Sequence, residues 1–589
     1  MNYFALLDDA VCGRALLFES WQSADFLTAA DLDTLDARLA AGRADGLHAV
    51  VLADYEFGLP LLSLPDAGGR LALHWFGKKT AVDAVQWLAE NGRGEAAIGT
   101  PQMQTGRTQY LTDVAAVQAA IARGDTYQIN YTTRLHLNAY GCPVALYRRL
   151  RQPVPYAFLG CLPDAAGKES WTLCFSPELF LRLDGKGRAE TEPMKGTAPF
   201  LGDGQDEARA RALQADPKNR AENVMIVDLL RNDLGKLAQT GGVRVPEPFR
   251  VGRFGSVWQM TSRIEADLRP DVSAADIFRA AFPCGSITGA PKRMSMEIIG
   301  RLEHAPRGLY TGSIGHLAAT DDGGVSGVLN VVIRTLTLGE EQDGVRAGVY
   351  GVGSGIVSDS EAESEYRECG WKARFLTDLR PTFGLFETLR IENGRAPLLA
   401  RHLGRLKTAA AALNLAWPAE LPRQVQQHIA RSDGLLRGKI TLNRDGWQFE
   451  CRPFADFSRP QHVMVSGQAA ATDWTRRFKT DRRGDLDTLW QTAEQHGAFD
   501  MLCFDRQGRL LEGGRSNVFV KSGGRWYTPA AGLPILNGVM RQAVLADPQH
   551  YLGCNRVMEA EIDRPMLENA EEIRLSNALR GLFHAALIQ

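Results

Sequence analysis

Apolar residues recur at helical spacing in several stretches of the first two thirds of the chain. In RAENVMIVDLLRNDLGKLA, which opens at Arg220, Val227, Leu230 and Leu234 fall three and four apart, the period that lines one face of a helix. DVAAVQAAIARG from Asp113 predicts a second helix and runs into TYQINYTTRLHL, a strand. VWQMTSRIEADL, GVSGVLNVVIRTLTL and GVRAGVYGVGSGIV predict further strands, and a helix over ESEYRECGWKARFLTDL closes the unit near Leu379. Arg380-Pro381-Thr382 interrupts the pattern, and a new strand opens at FGLFETLRI. A proline break between two helix–strand systems predicts a domain boundary within several residues of 380–382. The two units, 1–379 and 383–589, are each long enough for a core of their own.

Composition narrows the function without choosing it. A chain of 589 residues exceeds one ordinary hydrophobic core. Its formal net charge of −2, with no dense Lys/Arg stripe, argues against nucleic acid and for small-molecule substrates. The first twenty residues hold Asp8, Asp9 and Glu19 and no basic start, so no signal peptide is expected. No apolar run of membrane-spanning length occurs. The nine cysteines are scattered without C-x-x-C pairs, as in a reduced, cytoplasmic protein.

Three features carry candidate chemistry in the first unit. The glycine-rich run GVGSGIV (351–357) follows a strand and precedes an acidic helix, where backbone N–H groups can approach an anion. Glu365 and Glu368, three apart, share a helical face, and Glu222 opens the other long helix. Such carboxylates are separated by solvent or neutralised by a cation, and oxygen donors with spare water sites suit Mg²⁺. Lys195 stands in PMKGT, between proline and glycine at a strand end.

Taken in order, GDTYQIN, SPELF, PMKGT, AENVMIVDLLRNDLG, GSITGAPK, GSIGHL, IRT and GSGIVSDSEAESEYRE resemble the motifs of chorismate-binding enzymes. That family includes anthranilate synthase, aminodeoxychorismate synthase component I, isochorismate synthase and salicylate synthase. The resemblance covers most of residues 90–379; the first 90 residues match loosely. It implies an α/β (α+β) architecture, with an anthranilate-synthase-like domain of layered β-sheets and outer helices. Gln128 stands where hydroxylating members place a lysine base, and glutamine cannot deprotonate water. Lys195 stands where anthranilate synthases carry alanine and aminodeoxychorismate synthases carry lysine. The resemblance thus implies amination of chorismate at C4, with Lys195 as nucleophile and Glu178 as acid. It further implies Mg²⁺ on Glu222, Glu368 and, through water, Glu365. Substrate contacts would come from Gln128, Arg334, Tyr310, Gly353, Ser354 and Gly355. Two positions depart from relatives: Asn219 replaces an acidic residue of some, and Gln259 replaces a histidine of anthranilate synthases. No G-x-C-x-G nucleophile motif surrounds any cysteine, so ammonia is expected from a separate glutaminase subunit.

In the second unit, RHLGRL, FKTDRR, LLEGGRSNVF, LNGVMRQ and LSNALRG resemble, in order, fold-type IV pyridoxal-phosphate (PLP) enzymes, an α+β fold of two subdomains. The resemblance implies that Lys479 forms the Schiff base and moves the proton, and that Glu512 faces the pyridine nitrogen. Arg405, Val539, Met540 and Asn577 would hold the phosphate. That family usually begins with a β-hairpin some twenty residues before the match, and here the chain arrives directly from the first unit. PLP enzymes of this type are usually dimers, so a homodimer through this unit is expected. Together the halves imply a bifunctional route to 4-aminobenzoate: amination to 4-amino-4-deoxychorismate, then elimination of pyruvate. The alternatives are an anthranilate synthase fused to an amino-acid transaminase, a synthase fused to a transaminase, and a non-catalytic chorismate-binding protein.

Overall fold

The computed structural model describes residues 3–254, 257–457 and 461–588. Among them, nineteen strands between Phe4 and Ile356 join one hydrogen-bonded network, all of whose pairings are antiparallel. The first 90 residues belong to it: Ala49–Ala53 pair with Leu317–Ser313, so the loosely matching N-terminus completes the same sheet.

The longest pairing relevant to function joins β1 (Gln128–Gly141) to β6 (Val345–Ile356), register Tyr140↔Val345 to Ile129↔Ile356. Between them in sequence lie β2 (Leu179–Asp184), β3 (Met194–Pro199), β4 (Val257–Leu268) and β5 (Val325–Val331). Helix α1 (Arg107–Ala122) buries Tyr110, Val114 and Val117 against β1 and β6, and α2 (Pro217–Gly235) buries Ile226, Val227, Leu230 and Leu234 on the other core. Asp216 caps α2 by accepting from Asn219 N–H at 2.7 Å, with proline in the first turn where its missing donor costs nothing. Helix α3 (Ala362–Lys372) packs beside α1.

One expectation changes. GVSGVLNVVIRTLTL is not one strand: β5 ends at Val331, and pairing resumes at Thr335. Arg334 between them has φ 52°, a left-handed conformation that a ladder cannot continue through. The strand expected over GVRAGVYGVGSGIV forms as β6, which takes in the glycine-rich residues up to Ile356.

In the second unit, β7 (Leu385–Glu392) and β8 (Leu435–Asn443) form a three-stranded sheet with Gly446–Pro453, covered by α4 (Leu399–Ala412). An eight-stranded sheet holds β9 (Leu510–Gly513) and β10 (Asn517–Ser522), flanked by α5 (Val539–Ala546). No helix of the described residues is long and apolar enough to cross a membrane. All nine cysteines are free thiols.

Leu230, 2% exposed in the α2 core, provides a packing test. Leu230→Ala should cost about 2–5 kcal/mol in urea unfolding of the full chain; a change below about 0.5 kcal/mol would contradict the assigned face.

Candidate active sites

The first site is built where the chain ends of several strands meet. Glu178, just before β2, is 4% exposed and accepts from Ser286 Oγ at 2.6 Å. Burial pushes its carboxyl above the usual range, opposed by Ser286, Lys195 and Arg334. Lys195 on β3 is half-buried, and its amine makes no hydrogen bond or ion pair among the described residues. Its amine is held below the ordinary lysine range, first by burial and then by Lys372, against the pull of Glu178, Glu222 and Glu368. Desolvation of an unpaired amine raises its neutral fraction, and with it its reactivity as a nucleophile. Gly196, next in the chain at φ 84°, lets Asn219 pack close: an added Cβ would meet Asn219 Oδ1 at 2.8 Å. Gln259, across from Thr197 on β4, is buried with Oε1 unpartnered.

Opposite them, β6 offers a free edge. Thr132 N–H donates to Glu303 Oε1 and Asn130 N–H to Thr288 O, both at 2.9 Å. Gly353↔Thr132 and Gly355↔Asn130 are therefore non-hydrogen-bonded pairs, and the peptide groups of Gly353 and Gly355 face outward. Past Tyr350 that edge has no strand partner among the described residues, and Lys372 Nζ reaches Gly353 O at 2.8 Å. Ser354 has the opposite sense, which corrects the expectation that it touches substrate: its hydroxyl lies in the core, 3.1 Å from Tyr110 Oη. Glycine at 355 makes room for Gln128, since a Cβ there would sit 2.4 Å from Gln128 Nε2. Gln128 is 2% exposed and its Oε1 has no partner. At 351 glycine admits the Tyr310 ring, 2.2 Å from an added Cβ. Arg334 feels Glu178 but forms no hydrogen bond or ion pair through its guanidinium among the described residues.

The three expected metal carboxylates are less closely drawn together. Glu222 is pushed up by burial and, in part, by Asp359 and Glu365, against Lys195 and Lys218. Glu365 accepts from Ser360 Oγ at 2.8 Å, and Glu368 pairs with Lys372 at 2.7 Å. Among the described residues no three acidic, histidine or cysteine side chains converge on one point. The all-carboxylate donor set suits a hard cation that keeps much of its own water, rather than a closed protein cage.

The second site is a cavity of about 1040 Å³ lined by Arg405, Lys479, Glu512, Gly538, Val539, Ser576 and Asn577 among others. Lys479 is half-buried above the Phe386 ring, 4.8 Å from its centroid. Burial, with Arg405, Arg483 and Arg437 nearby, brings its amine down to about 7 against the opposing charge of Glu387. Glu512 on β9 is raised to about 7, chiefly by burial; Arg476 lies 3.7 Å away and Leu536 N–H donates at 3.1 Å. Its Oε1 and the Ser576 hydroxyl are buried without a hydrogen-bond partner. Gly538 begins α5 with no side-chain cap, leaving the helix N-terminus as a phosphate seat. These unpartnered groups fit PLP: a carboxyl for the pyridine nitrogen, a hydroxyl and helix amides for phosphate, an amine for the carbonyl carbon.

Arg405 is already engaged, bidentate to Glu387 at 2.8 and 2.6 Å. Burial would raise Glu387, yet Arg405 and His402 take it down to about 2. Met540 turns its side chain into a neighbouring core and a second, smaller cavity, so only its main chain is near α5's mouth. Asn577 caps a turn, accepting from Arg580 N–H at 2.8 Å. Sequence reasoning missed Ser576, although LSNALRG contained it, and Arg476 and Glu387, whose roles depend on distant partners.

Residues 69–378 match the family model for chorismate binding enzymes. The chain belongs to the chorismate binding enzyme family. Residues 384–588 match amino-transferase class IV. An aminodeoxychorismate synthase of Streptomyces griseus is 42% identical over 288 residues, 48% of this chain and 38% of that protein. An anthranilate synthase component 1 of Haloarcula marismortui is 39% identical over 307 residues, 51% of this chain and 58% of that protein. The chain thus spans well under two thirds of either relative. The menaquinone-specific isochorismate synthase from Escherichia coli shares the fold (TM-score 0.50, 21% identity, 63% of this chain and 89% of that one). Three different reactions stand among these chorismate binding enzymes, so membership alone does not select one.

In cofactor-free protein, amine-selective labelling of Lys479 followed by peptide mass spectrometry should rise with a midpoint near pH 7, because the amine is protonated below that value and free above it. A midpoint near 10, the ordinary lysine value, would contradict the environment described.

Proposed function

We propose that the chain converts chorismate to 4-aminobenzoate in two steps, one per site. The observation that carries the reading is Lys195: an unpaired, desolvated amine within electrostatic reach of the raised carboxyl of Glu178. Neutral Lys195 Nζ attacks C2 of chorismate, the ring double bonds shift, and the C4 hydroxyl leaves as water on the Glu178 proton. Ammonia then attacks C4, the double bonds return, and the Lys195 amine departs from C2, giving 4-amino-4-deoxychorismate. Gln128 occupies the position of a water-activating lysine and cannot act as a base, which favours ammonia over water. Arg334 and the outward amides of Gly353 and Gly355 would bind the substrate carboxylates, with Tyr310 beside them. Glu222, Glu365 and Glu368 would hold Mg²⁺, which would offset carboxylate charge at the substrate. Ammonia would come from a separate glutamine amidotransferase.

At the second site, PLP when bound supplies an electron sink conjugated to the substrate amine. Lys479 Nζ is the chain's group for carrying the ring C4 proton, and pyruvate leaves as the ring becomes aromatic. Glu512, raised to about 7, would face the cofactor's ring nitrogen, and Ser576 and the α5 N-terminus would hold its phosphate, with Arg405, held by Glu387, adding positive charge beside it. The lyase reading of this half, rather than a transaminase one, rests on its fusion to a site that makes the lyase's substrate. The protein would act in the cytoplasm, as a homodimer through the second unit.

Purified chain given chorismate, ammonia, Mg²⁺ and PLP should release 4-aminobenzoate and pyruvate in equal amounts. Lys195→Ala should slow amination ~10²-fold or more yet still process supplied aminodeoxychorismate; Lys479→Ala should do the reverse. Anthranilate as product would sink the first assignment, and amino-acid-dependent formation of pyridoxamine phosphate without pyruvate release would sink the second.

A further inference from the structure

The second site does not stand on its own elements alone. Its lysine belongs to a short segment, Trp474 to Arg483, that begins as a turn of 3₁₀ helix at Trp474–Arg477. Arg476 in that turn faces Glu512, Lys479 follows two residues beyond its end, and Arg483 closes the segment beside the helix Gly484–Gln495 through Asp487 at 2.7 Å. Trp474 stacks on Tyr140 of the first domain, centroids 5.3 Å apart at 25°, and Phe478 meets the same ring edge-on at 5.7 Å. Trp474 Nε1 donates to Glu95 O at 3.2 Å. The Glu95 carboxylate takes Arg482 at 2.5 Å and the Thr382 hydroxyl at 2.7 Å. Gly141, at φ 79°, permits this approach: a Cβ there would lie 2.0 Å from Glu95 O and 2.7 Å from Trp474 Nε1.

The helix carrying Arg405 is held from the same side. Thr100 N–H and Oγ both donate to Ala411 O in the last turn of α4, at 2.8 and 3.0 Å. That carbonyl lies at the helix end, where Asn414 N–H, from the following turn, is at 3.4 Å. Ala97 and Tyr140 are 1% and 7% exposed and belong to the hydrophobic core built by Phe383, Leu385, Leu406 and Leu413. The second unit's core is thus finished by first-domain residues, where the class IV family was expected to supply a hairpin of its own.

We propose that Glu95, Thr100 and Tyr140 are positioning residues of the second active site, holding the Lys479 segment and the Arg405 helix in register from the neighbouring domain. The inference rests on the PLP reading above. It makes the fusion a structural requirement of the second activity. Tyr140 and Gln128 lie at opposite ends of β1, about 40 Å apart at ~3.3 Å per residue, so the first site should not sense the change.

The test uses the full chain carrying Tyr140→Ala, with Tyr140→Phe as the conservative control. Tyr140→Ala should lower kcat for pyruvate release from aminodeoxychorismate about tenfold or more, with KM changing less, because ångström-scale misplacement is costly to rate. Ammonia-dependent amination of chorismate should stay within about twofold. In cofactor-free protein the Lys479 labelling midpoint should move up by about one pH unit toward the ordinary lysine value. Tyr140→Phe should keep all three at wild-type values. A labelling midpoint and pyruvate kcat that stay at wild-type values in Tyr140→Ala overturn the proposal while leaving the PLP reading intact. If instead wild-type protein fixes no cofactor on Lys479 after borohydride reduction, the PLP reading fails and the proposal falls with it.

Discussion

The antiparallel pairing of Gln128–Gly141 with Val345–Ile356 is the constraint on which the rest of the molecule depends. Its register decides which peptide groups of the glycine-rich strand face the pocket and which are used up in the ladder. A slip of one residue would exchange Gly353 and Gly355 for Ser354 at the free edge and bring the Gln128 amide against a side chain. At its other end the same strand presents Tyr140 to Trp474. One pair of strands therefore shapes the first site and braces the second.

Both sites apply the same physical device to a lysine. Each amine is kept from bulk water, and neither is neutralised by a close carboxylate among the described residues. Lys479 has the Glu387 charge diverted to Arg405 and His402. Lys195 has Glu178 nearby, but that carboxyl is itself desolvated and hydrogen-bonded to Ser286. A strong ion pair would raise either amine and blunt it as a nucleophile or base.

Much of this was legible in the sequence because local periodicity and motif order are local facts. The helix over Glu222 and the strand VWQMTSRIEADL (β4) follow their patterns closely, and the site motifs stand in the expected order. What the pattern misplaced were positions decided by backbone geometry. Arg334 breaks an apolar run through a left-handed φ that composition does not announce. Ser354 faced the wrong way because side-chain sense along a strand depends on register, which a single sequence leaves open. Glu95, Thr100 and Tyr140 had no signal at all: their partners lie some 280 to 390 positions away, and only the folded chain brings them together.

The amination route requires that Lys195 bonds to the substrate ring. Incubating the protein with chorismate and Mg²⁺ in the absence of ammonia, then quenching in acid and mapping peptides by mass spectrometry, examines it directly. A peptide containing Lys195 should carry chorismate less one water, and it should be absent in Lys195→Ala. An unmodified Lys195 in protein that aminates chorismate at full rate once ammonia is added, with Lys195→Ala equally active, would contradict it.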